Sequence, residues 1–427
     1  MKLLWMCNVP TKRIELMQNT QQSTCVGGWL EGLSESLLAD KDIELCYCYP
    51  EYKSQKLGHD KKDNFKYYAI PISYYQATVA MQEQCECGKI YRKILTDEKP
   101  DVIHFFGTEF LYTSYFIKIA LEEGYKDRIV TSIQGLVSVY YDHYSAGLPD
   151  YIMRRKTLSE IKGKCSLIDN KKNYLHRGKY EQDVLVASSN IIGRTTWDKA
   201  CAHFIAPESR YYFCNENLRF VFYDGSQWEY EKCNKYQIAI SQAGYPIKGL
   251  HKVIEAVALL CNEFPDIKVK VGGANIFGGN WIKGNSYGIY IKKLLKKYNL
   301  QDQFEFEGFL SAEKMKRLLL ESNVFVCPSS IENSPNSLGE AMLLPCVASD
   351  VGGIADMLTH NDEGFLYPFD DSYKMAFYIR KTFLEIEDTK RRAECGRKHA
   401  VITHDRKKNA ETLIEIYHKI CMNGSIC

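Results

Sequence analysis

Two glutamates separated by seven residues, Glu332 and Glu340, have the spacing and surroundings of ligand-binding side chains. Glu332 lies in a polar turn that follows a short, β-branched apolar run ending at Cys327. Ser334 and Pro335 come next, and a serine cap followed by a proline in the first turn is typical of a helix start. The pattern therefore predicts a buried strand, a loop that carries Glu332 and a helix that carries Glu340.

The predicted helix, from Asn336 to about Leu344, would direct free backbone amides towards this loop. The amides of Asn336, Ser337 and Leu338 would lack partners within the helix, so this end favours an anion such as a diphosphate. Two carboxylates beside an anion site need a cation or hydroxyl groups as partners, and sugar hydroxyls are natural candidates. The alternative is an ordinary strand–helix unit with two solvent-facing acids.

A second strand-to-helix segment supplies a cation. The run Tyr236–Ile240 is typical of a strand, and the turn after it places Lys248 and Gly249 at the start of the next predicted helix. A lysine and a glycine at a helix start suit a phosphate group. Gly272 and Gly273, after the following strand, would let a nucleotide approach the backbone closely.

The N-terminal half offers two further candidates for ligand contact. Gly27 and Gly28 open a predicted helix after the first strand, Lys2–Cys7, and the pair is equally compatible with close ligand approach and with a simple tight turn. Arg194 follows a later predicted strand. It could hold a phosphate or pair with Asp198, four residues further on.

The elements that must position these residues follow a regular alternation. Strand-like and helical segments alternate along both halves, which predicts an α/β protein with parallel, doubly wound sheets, and 427 residues favour two domains. The predicted strands are Lys2–Cys7, Ile43–Tyr49, Tyr67–Ile70, Asp101–Phe106, Ile129–Ile133 and Val184–Ala187, then Tyr236–Ile240, Ile267–Val271, Phe304–Phe306 and Asn323–Cys327.

Composition excludes several other classes. A formal net charge of +2 does not fit a nucleic-acid-binding protein. The N-terminus lacks the pattern of a signal peptide, and no apolar run is long enough to span a membrane, so we expect a cytoplasmic protein with its 16 cysteines reduced. The close pairs Cys46-x-Cys48 and Cys85-x-Cys87 lack the two-residue spacing usual in zinc sites, so we expect no metal site.

The segment Glu332-x7-Glu340, preceded by Cys327-Pro-Ser-Ser330 and followed by Gly352-Gly353, resembles the signature of retaining GT-B glycosyltransferases of the family 4 type. The resemblance implies a GT-B fold, in which two Rossmann-like doubly wound domains face each other across a cleft. It implies an acceptor-binding domain over residues 1–215 and a nucleotide-sugar-binding domain over residues 216–404. Residues 405–427 would form a C-terminal helix that crosses back to the N-terminal domain.

The resemblance also implies roles for the candidate residues. Glu332 would contact the donor sugar and Glu340 the ribose of the nucleotide, while Lys248 and the amides of Asn336, Ser337 and Leu338 would neutralise the departing diphosphate. Gly272 and Gly273 would lie near the nucleotide, and Gly27 and Gly28 near the donor phosphates and the acceptor. Arg194 could share the phosphate contact with Lys248. Glu332 and Lys248 are thus the predicted catalytic residues. No metal or other cofactor is implied, and a UDP- or GDP-linked sugar serves as co-substrate.

Two positions depart from the family pattern. Gln134 stands where a histidine is frequent, and Ala243 stands where an arginine usually forms a diphosphate clamp with the lysine. Nearby, His104 is open to a core role as well as a functional one. A non-catalytic nucleotide-sugar-binding protein and a GT-B nucleotide-sugar epimerase or phosphorylase therefore remain alternatives to a transferase.

The stretch from Arg154 to Lys179 contains nine basic residues against two acidic ones, in a chain of net charge +2. It is either a solvated surface or a site for anionic lipid or for the pyrophosphate of an acceptor. With the tyrosines around it, this stretch favours a carbohydrate or lipid-linked oligosaccharide as acceptor, as in capsule or O-antigen synthesis. We therefore expect a cytoplasmic enzyme with peripheral contact at the inner face of the plasma membrane.

Overall fold

The computed structural model describes residues 1–19, 27–73, 86–277 and 284–423. In chain order, its strands are β1 Lys2–Met6, β2 Glu44–Glu51, β3 Gly58–Lys62, β4 Phe65–Pro71, β5 Val102–Phe106, β6 Ile129–Ser132, β7 Asn190–Gly193, β8 Arg210–Phe213, β9 Gln237–Ile240, β10 Lys268–Gly272, β11 Phe304–Gly308, β12 Val324–Cys327, β13 Cys346–Ser349 and β14 Gly364–Tyr367.

The α-helices, in chain order, are α1 Lys12–Met17, α2 Gly28–Leu38, α3 Glu86–Glu98, α4 Leu111–Glu122, α5 Val137–His143, α6 Asp150–Met153, α7 Leu158–Gly163, α8 Leu167–Ala187, α9 Thr196–Ile205, α10 Leu250–Leu260, α11 Ser286–Tyr298, α12 Ala312–Leu320, α13 Asn336–Ala341, α14 Ile354–Met357, α15 Ser372–Leu384, α16 Ile386–Thr403 and α17 Arg406–Asn423.

The chain divides into two compact units. The N-terminal unit contains residues 1–139, 175–218 and those from His404 onward, and the C-terminal unit contains residues 140–174 and 219–403. The sequence boundary drawn at 215/216 lies close to the junction at 218/219, and the last helix belongs to the N-terminal unit. Residues 140–174 pack within the C-terminal unit although they precede that boundary in the sequence. No periodicity in the sequence predicts this placement.

An eight-stranded sheet in the order β3-β4-β2-β1-β5-β6-β7-β8 forms the centre of the N-terminal unit. Its neighbouring strands pair in parallel, except for β3 and β4, which are antiparallel. The predicted strand Val184–Ala187 is wrong, because these residues form the last turn of α8. Val184 and Leu185 are buried whereas Val186 is 64% exposed, and an apolar run this short does not separate a strand from a helix end.

The C-terminal unit contains a six-stranded, fully parallel sheet in the order β11-β10-β9-β12-β13-β14. Its four predicted strands agree with β9 to β12 within two residues, so the predicted α/β class with doubly wound sheets is confirmed. Because β9 and β12 are neighbours, the turns that follow them emerge side by side at the carboxyl edge of the sheet. Open α/β sheets bind their ligands at this edge.

Residues 140–174 are anchored to the C-terminal unit by buried polar contacts. The ring nitrogen Nε2 of His251 on α10 donates to the carbonyl oxygen of Ala146 at 2.8 Å, and burial lowers the pKa of this histidine to about 4. The buried carboxylate of Glu160 on α7 accepts hydrogen bonds from the backbone amide of Ser286, at 2.8 Å, and from its hydroxyl, at 2.6 Å. Since Ser286 is the first residue of α11, this acid caps that helix.

Cysteine usage in the described chain is mainly structural. Cys46 and Cys48 lie on β2 as predicted, and both are buried in one apolar cluster with Ile103 and Phe105 of β5. Both have free thiols. Cys87 is disulfide-bonded, so the expectation that the cysteines are reduced is wrong for this residue. None of the helices in the described ranges combines the length and the apolar character needed to cross a membrane.

The last helix, α17, is part of the core of the N-terminal unit. Leu413, Ile416 and Ile420 share one face of the helix and pack in a cluster with Leu3 and Trp5 of β1. The pattern of apolar residues in this helix therefore follows from burial against the sheet.

A buried hydrogen-bonded chain joins α17 to the sheet. Nε1 of Trp5 donates to the hydroxyl of Tyr417 at 3.0 Å, and that hydroxyl lies 2.6 Å from Nδ1 of His104. Nε2 of the same histidine lies 2.7 Å from Oγ of Ser132. Burial lowers the pKa of His104 well below its ordinary value, so the ring is neutral. This geometry makes His104 a core histidine.

We expect Tyr417→Phe to lower the free energy of unfolding by about 2 kcal/mol or more, because it removes the hydrogen-bond partner of Nε1 of Trp5 and of Nδ1 of His104. Urea unfolding at neutral pH measures the effect. Tyr112→Phe is the matched control, since the Tyr112 hydroxyl is buried in the same unit and makes no hydrogen bond within the described part of the chain. Equal losses in the two variants would contradict the importance of the hydrogen-bonded chain.

Candidate functional site

The turn after β9 and the loop after β12 meet through their backbones. Gly249 has a φ of +67°, and a Cβ atom at this position would lie 1.7 Å from the carbonyl oxygen of Pro328. The amide of Ser330 donates to the carbonyl oxygen of Ile247 at 2.7 Å. Only a glycine permits this approach, so the Lys-Gly pair seen in the sequence has a packing reason as well as a chemical one.

Lys248 and Glu332, the two predicted catalytic residues, form an ion pair. Nζ of Lys248 lies 2.5 Å from Oε1 of Glu332, and the two side chains are 16% and 10% exposed. Oγ of Ser329 donates to the same oxygen at 2.8 Å, and the Lys248 ammonium lies 5.7 Å from the centre of the Tyr245 ring. The structure thus brings the predicted pair together, with each residue neutralising the other.

The protonation state of Lys248 follows from two opposing effects. Burial by itself would lower its pKa, but the Glu332 carboxylate raises the pKa well above the ordinary value. The lysine is therefore a permanent cation. Tyr140 belongs to the same environment, because its pKa is raised first by burial and then by the Glu332 carboxylate. The sequence offered no signal that connects Tyr140 with Glu332.

The paired glycines after β13 hold the loop that carries Glu332. Gly352 has a φ of +55°, and a Cβ atom there would lie 1.9 Å from the carbonyl oxygen of Glu332. The amide of Gly353 donates to the same oxygen at 3.0 Å. The Gly-Gly part of the motif therefore fixes the backbone of Glu332.

Helix α13 begins where it was predicted to begin, but its cap and its C-terminal end differ from the prediction. It begins at Asn336 after Pro335, which occupies the N-cap without a side-chain hydrogen bond, and it ends at Ala341. The expected serine cap at position 334 is therefore wrong. The amide of Leu338 donates to the carbonyl oxygen of Pro335 at 2.9 Å, so its prediction as a free phosphate donor is also wrong. The physical reason is a tight first turn, in which a bond to the third preceding residue uses this donor.

Glu340 lies on α13 and is held by an arginine that sequence reasoning missed. Nε and Nη2 of Arg219 each lie 2.6 Å from one oxygen of the Glu340 carboxylate, a bidentate arrangement. The Glu340 side chain is 6% exposed and that of Arg219 is 21% exposed. Arg219 immediately precedes a 3₁₀ turn, Phe220–Tyr223. It lies in the connecting segment, Arg210 to Cys233, which is rich in Tyr and Phe, lacks helical periodicity and is predicted to join the two domains. That segment contains three basic residues, Arg210, Arg219 and Lys232, and no feature of its sequence marks Arg219 as the partner of Glu340.

The other predicted glycines are explained by packing. Gly273 has a φ of +97° and donates its amide to the carbonyl oxygen of Gly308 at 2.8 Å, while a Cβ atom at Gly272 would lie 3.0 Å from the carbonyl oxygen of Ser241. Strand-end contacts thus account for both residues. Close approach of a nucleotide to them stays a prediction.

In the N-terminal unit, Gly27 caps α2 with a φ of +85°, and Gly28 is the first residue of that helix. A Cβ atom at Gly27 would lie 2.5 Å from a methyl group of Val9, so a tight turn explains this glycine. The part of the predicted loop from Thr24 to Val26 lies outside the described residues.

Arg194 is buried and paired, although not with Asp198. Its Nη1 lies 2.5 Å from Oε2 of Glu216, and its Nη2 donates to the carbonyl oxygen of Gln134 at 3.0 Å. Nε2 of Gln134 donates to the other oxygen of Glu216 at 2.6 Å. Asp198 instead accepts from the backbone amide of Arg194 and caps α9 together with Thr195. The predicted side-chain pairing with Asp198 is therefore wrong, and Arg194 belongs to a network with Glu216 and Gln134.

We expect Lys248→Met and Glu332→Gln each to lower the free energy of unfolding by about 3 kcal/mol, because either change leaves a buried group without its partner. The double variant should lose less than the sum of the two losses. A double-mutant cycle measured by chemical unfolding tests this. Lys398→Met is the control, since Lys398 and Glu394 form an exposed pair whose loss should change the stability far less. Additive losses at 248 and 332 would contradict the coupling.

Comparison with known families places these residues in a recognised domain. Residues 226–399 match the family model described as Glycosyl transferases group 1. The matched region contains Lys248, Gly272, Gly273, Glu332 and Glu340, and it covers less than half of the chain.

Two curated bacterial proteins align with part of the chain. Spore coat protein SA of Bacillus subtilis (strain 168) is 26% identical over 178 residues, which are 40% of this chain and 46% of that protein. The putative colanic acid biosynthesis glycosyltransferase WcaL of Salmonella typhimurium is 27% identical over 172 residues, which are 38% of each chain. The chain thus spans less than half the length of the curated relatives that it matches.

Solved structures match nearly the whole chain at low sequence identity, and this likeness shows the fold. The structure of Anabaena Alr3699/HepE in complex with UDP-glucose has a TM-score of 0.67 and 14% identity, and the match covers 98% of this chain and 99% of that chain. Residues 226–399 therefore match a domain of the group 1 glycosyl transferases, and the whole chain has the two-domain, Rossmann-like fold seen in GT-B glycosyltransferases.

Proposed function

We propose that this protein is a retaining, metal-independent glycosyltransferase that moves a sugar from a UDP- or GDP-linked donor to a carbohydrate or lipid-linked oligosaccharide acceptor. The observation that carries the proposal is the buried Lys248–Glu332 pair at the carboxyl edge of the C-terminal sheet, within the matched domain. HepE was solved in complex with UDP-glucose, and WcaL is named for colanic acid biosynthesis. By analogy, we propose that this chain uses a nucleotide-sugar donor and takes part in surface-polysaccharide synthesis.

The chemistry follows from the charges of the site. Lys248 supplies a fixed positive charge for the diphosphate, so negative charge that develops on the departing phosphate meets a preorganised cation. A diphosphate that binds Lys248 competes with Glu332 for the ammonium, and Glu332 turns its acceptor oxygen to hydroxyls of the donor sugar. Ser329 keeps the carboxylate in place during this exchange. Asn336 and Ser337 at the start of α13 are further candidates for phosphate contact.

The proposed transfer step is a substitution at the anomeric carbon on one face of the sugar. The bond between this carbon and the phosphate oxygen breaks, and the acceptor oxygen bonds to the carbon from the same side. The acceptor proton passes to the departing phosphate oxygen, so no protein base is required. The N-terminal unit is proposed to bind the acceptor.

A non-catalytic nucleotide-sugar-binding protein is the second candidate. Two observations favour it: Gln134 is engaged with Glu216, and Ala243 is buried where an arginine was expected from the resemblance. A transferase must join donor sugar and acceptor, whereas a binding protein leaves both unchanged. An epimerase would alter the donor sugar without any acceptor, so analysis of the products separates the three functions.

We also propose peripheral contact with an anionic membrane, through the segment from Tyr151 to Lys164. The side chains of Tyr151, Leu158 and Ile161 are 62%, 69% and 57% exposed, and Lys162 and Lys164 are exposed beside them. Glu160, the acid on α7, is buried and bonded to Ser286, so its carboxylate does not lie on this face. Exposed apolar side chains among lysines suit the interface of an anionic bilayer.

Thermal unfolding and turnover with nucleotides and their sugar conjugates test the donor site. One of the three nucleoside diphosphates UDP, GDP and ADP should stabilise the protein more than the other two. At a hundred times its dissociation constant it should add about 2.7 kcal/mol to the free energy of unfolding. With the matching sugar conjugate and an oligosaccharide acceptor, Lys248→Ala should reduce turnover at least about a hundredfold. Lys270→Ala is the control, because Lys270 pairs with acids on β11. Wild-type turnover in the Lys248 variant would overturn the phosphate role.

Co-sedimentation with vesicles tests the membrane contact. Wild-type protein should bind vesicles of mixed phosphatidylglycerol and phosphatidylcholine more strongly than vesicles of phosphatidylcholine alone. The pair Lys162→Glu and Lys164→Glu should weaken binding by about tenfold or more, since each lysine near an anionic surface contributes about 1 kcal/mol. The pair Lys390→Glu and Lys398→Glu on α16 makes the same change of charge as a control. Equal weakening by both pairs would show that net charge alone, and not this face, governs binding.

A further inference from the structure

We propose that Arg219 is a positioning residue that orients the Glu340 carboxylate to accept the two hydroxyls of a ribose, and that it thereby sets a preference for ribonucleotides over deoxyribonucleotides. The inference rests on the proposed function and on the family resemblance, which implies that Glu340 contacts the ribose of the nucleotide. The family match begins at residue 226, so Arg219 lies outside the matched region. Its assignment comes from the geometry of the C-terminal unit.

The hydrogen-bonding capacity of the carboxylate is the basis of this assignment. An ionised carboxylate offers about four lone-pair sites, two on each oxygen. Arg219 occupies one site on each oxygen, through Nε and Nη2 at 2.6 Å. Such a planar, two-point contact fixes the plane of the carboxylate. Among the residues that the structure describes, no other group occupies the remaining acceptor site on each oxygen. Two adjacent acceptors suit a pair of neighbouring hydroxyls such as O2′ and O3′ of a ribose.

Neighbouring side chains hold the guanidinium in this orientation. Its central carbon lies 5.4 Å from the centre of the Phe222 ring, one turn further along the connecting segment. The opposing carboxylate is buried on α13, and Leu338 and Ala341 of the same helix are fully buried. A lysine at position 219 would keep the positive charge but could not form the two-point contact.

A purely structural salt bridge is the competing explanation, and it makes a different prediction. If the pair only stabilised the junction between the connecting segment and α13, its loss would lower stability and weaken the binding of every nucleotide alike. If Arg219 orients the carboxylate, its loss weakens the contact with the ribose hydroxyls specifically. The ratio of the dissociation constants of the 2′-deoxy and ribose forms of one nucleotide separates these cases.

The experiment measures both dissociation constants by calorimetry, with the nucleoside diphosphate that stabilises the wild-type protein and with its 2′-deoxy form. The wild type should prefer the ribose form about tenfold, the value of one hydrogen bond to a charged group. Arg219→Lys and Arg219→Gln should bring the ratio to within about twofold of unity while the affinity for the deoxy form changes little. Glu340→Gln should lower the ratio in the same way. Arg380→Gln is the control, since Arg380 pairs with Glu263 on the surface of the same unit.

The outcomes distinguish failure of the positioning role from failure of the proposed function. A wild-type protein that binds no nucleotide would overturn the proposed function, and the role of Arg219 with it. Nucleotide binding with a wild-type ratio in Arg219→Lys would overturn the positioning role alone and leave the proposed function standing. Should Arg219→Gln fail to fold, the lysine variant decides the question, because it retains the charge opposite Glu340.

Discussion

The close backbone contact between Gly249 and Pro328 is the constraint on which the candidate site depends. It joins the turn after β9 to the loop after β12, and it requires a residue without a Cβ atom at φ +67°. With the two segments in contact, Lys248 and Glu332 are near enough to form a shielded ion pair. Gly352 then fixes the backbone of Glu332 by a second close contact. The close contacts at Gly249 and Gly352 thus position the Lys248–Glu332 ion pair at the carboxyl edge of the sheet.

The charged groups of the matched domain are balanced before any ligand arrives. Lys248 is paired with Glu332, and Glu340 is paired with an arginine from the connecting segment. Burying such charges is costly unless they are paired and hydrogen-bonded. Because these groups are paired, they stay charged although they are largely shielded from solvent. A diphosphate or a ribose would therefore exchange or share existing partners. The site is preorganised in geometry, and binding a ligand is mainly a redistribution of hydrogen bonds.

The segment from residue 140 to 174 shows how one buried acid shapes a surface. Glu160 lies on a short helix whose neighbouring residues Leu158 and Ile161 are exposed. Because its carboxylate caps α11 from within the C-terminal unit, the polar residue faces inwards and the apolar residues face outwards. This arrangement reverses the usual amphipathic helix. The resulting surface combines apolar side chains with lysines. The basic composition of the stretch predicted the positive charge of this surface but not its exposed apolar side chains.

The sequence alone determined the α/β class, most strands of both sheets and the segment that carries Glu332 and Glu340. These features are encoded by local periodicity, by turn residues and by a motif of fixed spacing. The partners of the charged residues were decided by tertiary structure. Arg219 lies 121 positions before Glu340, and Glu216 rather than Asp198 pairs with Arg194. Such contacts join residues far apart in the chain, and they depend on which strand ends become neighbours. No local pattern of residues encodes that.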